Sequence, residues 1–549
     1  MRAVIASVAV AACLSCSEAF APHAGSCTTS RRAQLTVAAG AAPSRSVGVS
    51  AARRGARRAG ATISMGAGAA TADAAYAPPD AITPEHPLRV ILAGGGVGGL
   101  LAAKYLKQSG FDVTVFEKTD SFKRFGGPIQ LASNALSTIK AIDPKLFESL
   151  MKKFTFTGVR TNGIMDGLRT EWYTKFDAIT AAADMRGLPY TGVVDRPDLQ
   201  AILLEDLGEN VVHNANTVCG YRNTDNGVEV LLEGGKTMHG DVLIGADGIW
   251  SQVRAQMWDE PVKNGKNSGA TYSGYTVFAG ETIYEPRDYW DVGYKVYIGP
   301  GQYFVTSDIG QGRMQWYAFL ALPAGTKARD DNILYLKDRF KGWSEDISEA
   351  LDATSNNDVE QRDLYDRRPS VMRSWSDGHV TLMGDACHPM MPNLGQGGCQ
   401  AMEDGYVLTN MLKEVTRRSE IPSTLQKYYR TRIARTAIVQ GLSRIASDLI
   451  INQFDTPARM TMSPFKMDMP GGMKSIMTSL MQPVLPLIFW AQFNYLYSFC
   501  PTSLTEEERA ALVTEERARA RKDAELVWAK AKADGTFAKG YNRELKQFT

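Results

Sequence analysis

The stretch from Arg89 to Lys118 constrains the fold more than any other part of the sequence. Residues 89–93, RVILA, are an apolar run that predicts a buried strand, and residues 94–99 read GGGVGG. LLAAKYLKQSG (100–110) predicts a helix that stops at Gly110, and DVTVFEK (112–118) predicts a second strand. A strand, a helix and a strand in this order form a right-handed βαβ unit. We therefore predict an α/β fold with a Rossmann-like parallel sheet.

The glycines between the strand and the helix fit a dinucleotide-binding loop. In the GxGxxG spacing the first glycine makes the turn, the second admits a pyrophosphate, and the third packs the helix on the strand. Glu117 ends the second strand 18 residues after Gly99, where a carboxylate can bind ribose hydroxyls. The pattern predicts a dinucleotide but does not choose between FAD and NAD. The predicted contacts are Gly94, Gly96, Val97, Gly98, Gly99, Glu117 and Lys118.

The charge of the chain is unevenly distributed. Residues 1–72 contain eight Arg, no Lys and one acidic residue, which gives a net charge of +7. The remaining 53 basic and 58 acidic residues give −5. A mildly acidic body argues against a nucleic-acid partner. The length of 549 residues, 44% of them hydrophobic, is enough for two or three domains.

The basic N-terminus has the composition of a targeting leader. Residues 1–19 contain one Arg, an apolar run and small residues before Phe20, which predicts a signal peptide. Residues 20–75 are rich in Ala, Ser and Arg and resemble a plastid transit segment of an alga with a secondary plastid. Plain secretion is the alternative, but it does not explain the long basic stretch. We predict a plastid protein whose folded body begins near Leu88, after a Pro-rich linker (76–87).

Four cysteines follow the leader: Cys219, Cys387, Cys399 and Cys500. They form no CxxC pair and have no even spacing, so we predict neither a disulfide framework nor a metal site.

The residue pattern changes twice in the later part of the sequence. Residues 294–325 alternate apolar and polar residues between Gly-rich turns, which predicts an antiparallel meander. From residue 405 onward helix is predicted, and Thr505 with Glu508 forms a capping-box pattern at the start of a charged helix (505–535), expected to be solvated. The predicted domains are an FAD-type domain over 88–412 with a sheet inserted at about 155–235 and 266–362, a helical membrane-facing region (413–500) and a charged tail (501–549).

Two further motifs carry polar residues at strand ends. DVLIGADGIWSQVR (241–254) predicts a strand, an Asp-Gly turn at Asp247 and Gly248, and an arginine, Arg254, seven residues after the aspartate. HVTLMGDACHPMMPNLGQGG (379–398) predicts a strand ending in Gly384-Asp385, followed by a second glycine loop and a helix.

The three motifs, in this order, resemble those of the class A flavin monooxygenases, which have the para-hydroxybenzoate hydroxylase fold. The resemblance implies that the dinucleotide is FAD and that Asp385 binds its ribityl or ribose hydroxyls. It also implies that Asp247 and Arg254 link FAD to the reductant side. In this fold the second glycine loop faces the flavin pyrimidine. Backbone N–H groups at the helix start would then stabilise the negative charge of reduced flavin. The residues concerned are Gly395, Gln396, Gly397 and Gly398.

The likeness extends to the plastid members that epoxidise the β-rings of xanthophylls, through GPIQLASNAL (127–136), YFVTSDIGQGRMQWYAF (303–319), NLGQGGCQAMED (393–404) and RIARTAIVQGLSRIA (432–446). It implies that Gln130, Arg196 and Pro392 lie at the flavin. Many members have an arginine where this chain has Gly126, so Arg124 is the candidate for that contact. Plant members extend into a forkhead-associated domain, whereas a charged helix is predicted here.

The resemblance implies a reaction in which the cofactor supplies the reactive oxygen, through a flavin C4a-hydroperoxide formed from reduced FAD and O2. The electrons would come from NADPH through ferredoxin or its reductase. The substrate would be zeaxanthin, giving antheraxanthin and violaxanthin, or diatoxanthin, giving diadinoxanthin. No catalytic side chain is required, and His388 is a weak candidate whose alternative is a hydrogen-bonded structural histidine.

The meander is expected to form the wall of the substrate pocket, with Tyr275, Phe304, Trp316 and Phe319 as lining candidates. Because successive side chains of a strand alternate between faces, some of these four could face away from the flavin. Residues 477–500 are apolar and aromatic but contain two prolines and three amides, so we predict a peripheral patch on the thylakoid or envelope membrane. A buried pair of core helices is the alternative.

Three other functions remain open from sequence alone. The first is another plastid isoprenoid flavoenzyme, such as a geranylgeranyl reductase or lycopene cyclase, although the pairing of 127–136 with the second glycine loop argues against it. The second is an aromatic-ring hydroxylase of the same fold. The third is an FAD-binding paralogue that has lost turnover and serves as a partner-binding or membrane-binding module.

Overall fold

The structure is a computed structural model that describes residues 78–122, 127–262, 269–299, 301–327, 329–452 and 485–536. The predicted signal peptide (1–19), the whole predicted transit segment (20–75) and the first two residues of the linker fall outside these residues, as does Arg124. The helices are α1 Val97–Gln108, α2 Ser133–Ile142, α3 Pro144–Met151, α4 Asp177–Asp184, α5 Arg196–Leu207, α6 Gln252–Met257, α7 Asn332–Arg339, α8 Glu345–Asp352, α9 Gly397–Lys413, α10 Ile421–Asn452, α11 Leu485–Leu496 and α12 Glu506–Ala533.

The strands are β1 Arg89–Ala93, β2 Asp112–Phe116, β3 Ile129–Leu131, β4 Thr155–Phe156, β5 Thr161–Asp166, β6 Trp172–Lys175, β7 Gly192–Val194, β8 Val212–His213, β9 Val218–Thr224, β10 Gly227–Leu232, β11 Thr237–Gly240, β12 Val242–Gly245, β13 Ala270–Ile283, β14 Val292–Gly299, β15 Gln302–Asp308, β16 Arg313–Leu320, β17 Glu360–Arg367, β18 Ser376–Asp377 and β19 Val380–Leu382.

The predicted βαβ unit is confirmed and lies at the centre of a six-stranded sheet with the order β18-β19-β12-β1-β2-β8. β1 pairs in parallel with β2 and with β12, and β12 pairs in parallel with β19. The three motifs follow β1, β12 and β19. Because the carboxyl ends of parallel strands meet at one edge of the sheet, this order brings the motifs together.

The predicted meander is also confirmed, as three strands of a seven-stranded sheet with the order β17-β13-β16-β15-β14-β5-β6. The predicted limits of the inserted domain differ from the observed ones. Only Thr161–Lys175 of the first insert joins this sheet, because β9, β10 and β11 form a separate three-stranded antiparallel sheet. The second insert continues to Arg367, the end of the edge strand β17.

The segment before β1 is more ordered than a linker. The Arg418 guanidinium donates to the Asp241 carboxylate at 2.8 Å and to the carbonyls of Pro79 and Pro87 at 2.7 and 2.9 Å. One buried arginine therefore anchors this segment beside the parallel sheet.

The predicted C-terminal helix begins with the predicted capping box, since the Thr505 hydroxyl accepts from Glu508 N at 3.1 Å and the Glu508 carboxylate accepts from Thr505 N at 2.7 Å. The expectation of a solvated helix is wrong for one face of it. Trp528 is buried and donates to the Gly312 carbonyl at 2.9 Å, and Arg519 donates to the Met151 carbonyl at 2.9 Å. The apolar residues spaced along the charged sequence attach α12 to the seven-stranded sheet.

Helix α11 covers the described part of the predicted membrane-facing segment. Within it only Leu496 is buried, while Phe493 and Tyr495 pack partly buried on the core, so the peripheral membrane patch stays a prediction. Trp490 is 47% exposed, and α4, which packs on α11, ends beside Met185, which is 62% exposed. Across the residues that the structure describes, no helix combines the length and hydrophobicity needed to cross a bilayer.

Candidate active site

The first glycine loop has the geometry that its spacing predicts. Gly94 has φ +110°, and a side chain there would collide with the Ala246 carbonyl at the end of β12. A side chain at Gly99 would collide with the Gly94 carbonyl, so this glycine lets α1 approach the loop. A Cβ at Gly96 would meet no atom within 4 Å. The loop therefore leaves open space at the position where the motif predicts a pyrophosphate.

Small residues also bring the two glycine loops side by side. A Cβ on Gly98 of α1 would lie 2.6 Å from the Ala401 Cβ of α9, and a Cβ on Gly405 of α9 would lie 2.9 Å from the Ala102 Cβ. Val97 is buried between them. Because α1 follows the first loop and α9 follows the second, the two helix N-termini open onto one cleft.

Glu117 lies against the first loop rather than free in the cleft. Its Oε2 accepts from the Gly95 N–H at 2.7 Å, and its Oε1 accepts from the Thr119 N–H at 2.9 Å. The carboxylate is buried at the end of β2, which is the position for a ribose contact, and the contact itself stays a prediction. Lys118, next in the chain, is exposed.

The Asp-Gly motif caps a helix and keeps one oxygen unsatisfied. Asp247 Oδ2 accepts from the Gln252 N–H at 2.7 Å, at the start of α6. Its Oδ1 is buried without a hydrogen-bond partner in the described part of the chain, and desolvation raises the pKa of this carboxyl. Gly248 has φ +80°, which allows the turn.

Arg254 has a different role from the one that the resemblance implies. It is fully buried, and it donates to the carbonyls of Ala386 at 2.7 Å and Ile249 at 2.6 Å and to the Glu260 carboxylate at 3.0 Å. A side chain without exposed surface cannot touch a ligand in the cleft. Arg254 instead ties the Asp-Gly turn to the Gly-Asp motif and positions both.

Asp385 of the Gly-Asp motif faces the cleft. Asp385 is an exposed residue, but protein atoms surround its carboxyl group on the sides away from the cleft. The resulting desolvation raises the pKa of the carboxyl. Its nearby positive charges are those of His388, Arg196 and Arg254. A carboxylate directed at open space, with cations behind it, fits the predicted binding of cofactor hydroxyls.

The second glycine loop leads directly into α9. Gly395 is left-handed, with φ +60°, and its Cα lies against the Gln130 side chain. Gln396 is the N-cap residue but makes no capping bond, and the first turn has no acidic residue. Gly397 and Gly398 are the first two residues of the helix, and Pro392 is exposed at the start of the loop. The helix N-terminus thus stays available to an anionic group.

Arg196 begins α5 and brings a positive charge to the same cleft. Its Nε is buried with no hydrogen-bond partner among the described residues. Desolvation lowers the pKa of the guanidinium, while the Tyr317 hydroxyl and Asp385 raise it by their charge interactions. An unsatisfied guanidinium beside Asp385 is what a cleft that binds a polar or anionic ligand requires.

His388 is a structural residue, because it is buried and has an orienting partner that sequence analysis did not find. Its Nε2 lies 2.6 Å from Asp404 Oδ2, and Asp404 Oδ1 accepts from Arg432 Nε at 2.7 Å. Cys387 Sγ lies in the same cluster, within 4.8 Å of these ligand-type atoms. Both Asp404 oxygens are already bound to protein donors, so the cluster is a hydrogen-bonded ion network that holds α9 against α10.

The four predicted pocket residues divide between the two faces of the seven-stranded sheet. Tyr275 and Phe319 lie on the face that packs on Met391 of the second glycine loop, and their place in a substrate pocket stays a prediction. Phe304 and Trp316 lie on the opposite face, so their assignment to the pocket is wrong. Trp316 donates to the Thr354 hydroxyl at 2.8 Å under α8, and Phe304 packs on Phe340 after α7.

Sequence analysis missed Tyr303 and Tyr317 on the flavin-facing side. Tyr303 stacks on Phe319 with ring centroids 4.1 Å apart, and its hydroxyl donates to Asn393 of the second loop at 3.2 Å. Strand alternation could have found both, because residues 303 and 305 on β15 and 317 and 319 on β16 share one face. The missing information was which of the two faces meets the loop.

These residues fit FAD. Two glycine loops open on one cleft, the Asp385 carboxylate and Arg196 guanidinium face it, and an apolar sheet face closes its far side. The first loop suits a pyrophosphate, and the second lies where a planar ring system would meet the sheet. This arrangement is that of the FAD-dependent class A monooxygenases, and the protein belongs to this class.

The comparison with known families agrees. The chain belongs to the FAD_binding_3 family, described as an FAD binding domain, whose profile matches residues 88–441. It is similar to the chloroplastic zeaxanthin epoxidase of Spinacia oleracea, with 43% identity over 376 residues, 66% of this chain and 54% of that one. The corresponding protein of Prunus armeniaca is 43% identical over 67% of this chain and 56% of its own length. The chain thus spans about half the length of these curated relatives.

Solved structures support the same fold. Klebsiella pneumoniae HpxO complexed with FAD and uric acid has a TM-score of 0.62 at 22% identity, over 74% of this chain and 97% of that one. A salicylate hydroxylase substrate complex has a TM-score of 0.54 at 20% identity, over 77% and 100% of the two chains. At this level of identity the likeness concerns the fold.

Proposed function

We propose that this protein epoxidises the β-ring double bond of a xanthophyll in a plastid. The observation that carries the proposal is the junction of the FAD cleft with an apolar aromatic wall, in which Met391 of the second glycine loop packs with Tyr303 and Phe319. The chloroplastic zeaxanthin epoxidases at 43% identity support the same substrate class. Zeaxanthin and diatoxanthin are the candidate substrates.

FAD, when bound and reduced, would supply with O2 the electrophilic oxygen that an alkene accepts. The protein would bind and orient the reactants. Asp385 and Arg196 hold the polar part of the cofactor, and the open N-terminus of α9 stabilises negative charge on the reduced ring. The stacked rings of Tyr303 and Phe319 form a packed apolar wall that excludes water from the cleft. NADPH, through ferredoxin or its reductase, is the proposed electron source.

The substrate class also suggests where the protein works. Xanthophylls reside in membranes, and α11 presents an apolar, partly exposed surface with Trp490 at its centre. We propose that this surface attaches the protein peripherally to a plastid membrane. Flotation with plastid-lipid vesicles tests it: wild type should float and Trp490→Glu should float less, whereas Leu526→Glu, on exposed α12, is the control. Equal flotation of all three proteins would refute it.

The proposed reaction is tested with FAD-loaded protein in lipid, supplied with NADPH, ferredoxin and ferredoxin reductase. Zeaxanthin, antheraxanthin and diatoxanthin are offered separately under ¹⁸O2, and the products are separated by chromatography. One labelled oxygen for each converted ring is the expected result and names the substrate. Absence of product, with the flavin bound and reducible, would reject the epoxidase and favour an aromatic hydroxylase or a binding-only paralogue.

A further inference from the structure

A row of four side chains crosses the flavin-facing side of the seven-stranded sheet. Strand pairing places Tyr317 opposite Val305, Val305 opposite Val296, and Val296 opposite Ile164. All four are partly exposed and belong to the cluster that contains Met391. Three strand spacings of about 4.8 Å give the row a length of roughly 14 Å. We name it the apolar row.

The inner end of the apolar row lies at the cofactor cleft. A Cβ on Gly127 would collide with the Tyr317 hydroxyl, so Tyr317 touches the segment that leads to Gln130. The Tyr317 hydroxyl also interacts electrostatically with Arg196, which in turn interacts with Asp385. Whatever binds along the row therefore has one end at the predicted flavin position.

The outer end continues into α11. The Phe176 N–H donates to the Asn162 carbonyl at 2.8 Å, two residues before Ile164 on β5. The Phe176 ring lies 6.0 Å from the ring of Tyr294, which precedes Val296 by two residues on β14. On its other side it lies 4.7 Å from the Phe489 ring of α11. An apolar path thus joins the exposed surface of α11 to the cleft.

Helix α10 forms a roof over part of the row, since it packs on β14, β15 and the second glycine loop. Ser443 and Ser447 are 0% and 1% exposed, and their hydroxyls have no hydrogen-bond partner within the described ranges. They share a helical stripe with Gln440, which donates to the Arg367 and Pro389 carbonyls at 2.6 and 2.9 Å. The Gln440 bonds hold α10 against the end of β17 and against the loop that precedes the second glycine loop.

The two sides of the row restrict the shape of a ligand. On one side the tightly packed Phe319, Tyr303 and Ile298 leave no exposed surface to spare. On the other side the strand-paired Ser307 and Gln315 are polar, and Gln315 is buried with its amide bonded to the Gly280 carbonyl at 2.7 Å. The exposed apolar surface is therefore one residue wide, which suits a rod-shaped molecule and not a compact one.

We propose that the apolar row binds the polyene chain of the substrate, with the reacting ring at Tyr317 and the remainder extending beneath α10 toward α11. This inference rests on the proposed function and deepens it by naming the residues that select for a long ligand. Val305 and Val296, which lie in the middle of the row and outside the cofactor cleft, become specificity-determining residues.

The test places a larger side chain in the apolar row and leaves the residues of the cofactor cleft unchanged. Val305→Trp is compared with wild type and with Val513→Trp, an equal increase in volume at a partly exposed valine of α12. Binding of zeaxanthin in detergent micelles to each FAD-loaded protein is measured by the shift in polyene absorption. Turnover is measured with zeaxanthin and with 3-hydroxy-β-ionol, which keeps the ring and lacks the chain. Val296→Phe, a smaller change at the next position, replaces Val305→Trp if circular dichroism shows that the latter misfolds.

We expect Val305→Trp to weaken zeaxanthin binding about tenfold or more, with 3-hydroxy-β-ionol turnover within about twofold of wild type. Val513→Trp should leave both unchanged. Unchanged zeaxanthin binding by both row variants would overturn the inference, and so would an equal loss with the short and long substrates. The binding measurement tests the role of the apolar row even if none of the proteins turns over either substrate. Absence of turnover would count against the proposed function and not against this inference.

Discussion

The Arg435 guanidinium binds the Glu403 carboxylate through two hydrogen bonds, Nε to Oε2 at 2.7 Å and Nη2 to Oε1 at 2.8 Å. The same guanidinium donates to the Leu496 carbonyl at 2.7 Å, at the end of α11. Glu403 is fully buried on α9, the helix that starts at the second glycine loop. One arginine therefore links the apolar helix α11 to the helix that follows the second glycine loop.

Arg435→Met should destabilise the protein and loosen α11. The substitution leaves the buried Glu403 with one of its two arginine partners and removes the donor to Leu496, a loss of about 1–3 kcal/mol. Thermal unfolding should show a lower Tm, and hydrogen exchange in residues 485–496 should be faster. Arg430→Met, at an exposed arginine of the same helix, is the control and should behave as wild type. A Tm equal to that of the control would contradict the assigned link.

Gly96→Ala should keep the fold and lose cofactor affinity. A Cβ at this position meets no protein atom within 4 Å, so it would occupy the space assigned to the pyrophosphate. Gly94→Ala should instead destabilise the fold itself, because Gly94 has φ +110° and an added Cβ would collide with the Ala246 carbonyl. Circular dichroism of the apoproteins and FAD titration separate the two effects. If Gly96→Ala bound FAD as tightly as wild type, the assignment of this space to the pyrophosphate would be wrong.

Asp385→Ala should weaken FAD binding by about tenfold or more, since it removes an acceptor for cofactor hydroxyls. FAD titration of wild type and variant measures the change, and an FAD affinity equal to wild type would reject the contact.

Trp316→Leu and Phe319→Leu should separate stability from substrate binding. Trp316 packs beneath α8 with its indole N–H bonded to Thr354, so its loss should cost about 3 kcal/mol and leave KM unchanged. Phe319 faces the flavin loop, so its replacement should change KM for the xanthophyll more than it changes Tm. Steady-state kinetics and thermal unfolding of both variants provide the comparison. A change in KM for Trp316→Leu alone would reverse the assignment of the two sheet faces.

Glu516 should make the docking of α12 sensitive to pH. The side chain is 2% exposed, neither oxygen has a hydrogen-bond partner in the described structure, and burial raises its pKa to about 7. Because this pKa exceeds the unfolded value, stability should fall as pH rises from the ordinary glutamate range to about 7. Glu516→Gln should remove this fall and gain on the order of 1–3 kcal/mol above pH 7. Unfolding curves of wild type and variant at about pH 5 and about pH 8 decide it. Parallel pH dependence in the two proteins would disprove the assignment.

The local sequence predicted those parts of the site that depend on short-range chemistry. The strand, glycine loop and helix from Arg89 to Gln108 follow from apolar runs and Gly conformations, and the capping box at Thr505 follows from a four-residue pattern. Residues that meet only through the fold could not be predicted in this way. His388 and Asp404 are 16 residues apart and meet because the loop after β19 packs against the middle of α9.

The two faces of the substrate sheet show the same limit. Alternation determines that Phe304 and Val305 point in opposite directions, but both faces are apolar, because helices cover one and the cofactor domain covers the other. Hydrophobicity alone therefore could not tell which face meets the flavin. Arg254 was misassigned for a related reason, since its distance from Asp247 in sequence predicts proximity but not whether the guanidinium turns inward.

The apolar row reaches the cofactor cleft at its Tyr317 end, while its other end leads toward α11. A symmetrical molecule with a reactive ring at each terminus would present a single ring at a time. To be modified twice it would have to withdraw, reverse its direction and enter again. The enzyme would then work distributively: the product carrying one epoxide would be released to the membrane before the second round and would compete there with unmodified substrate.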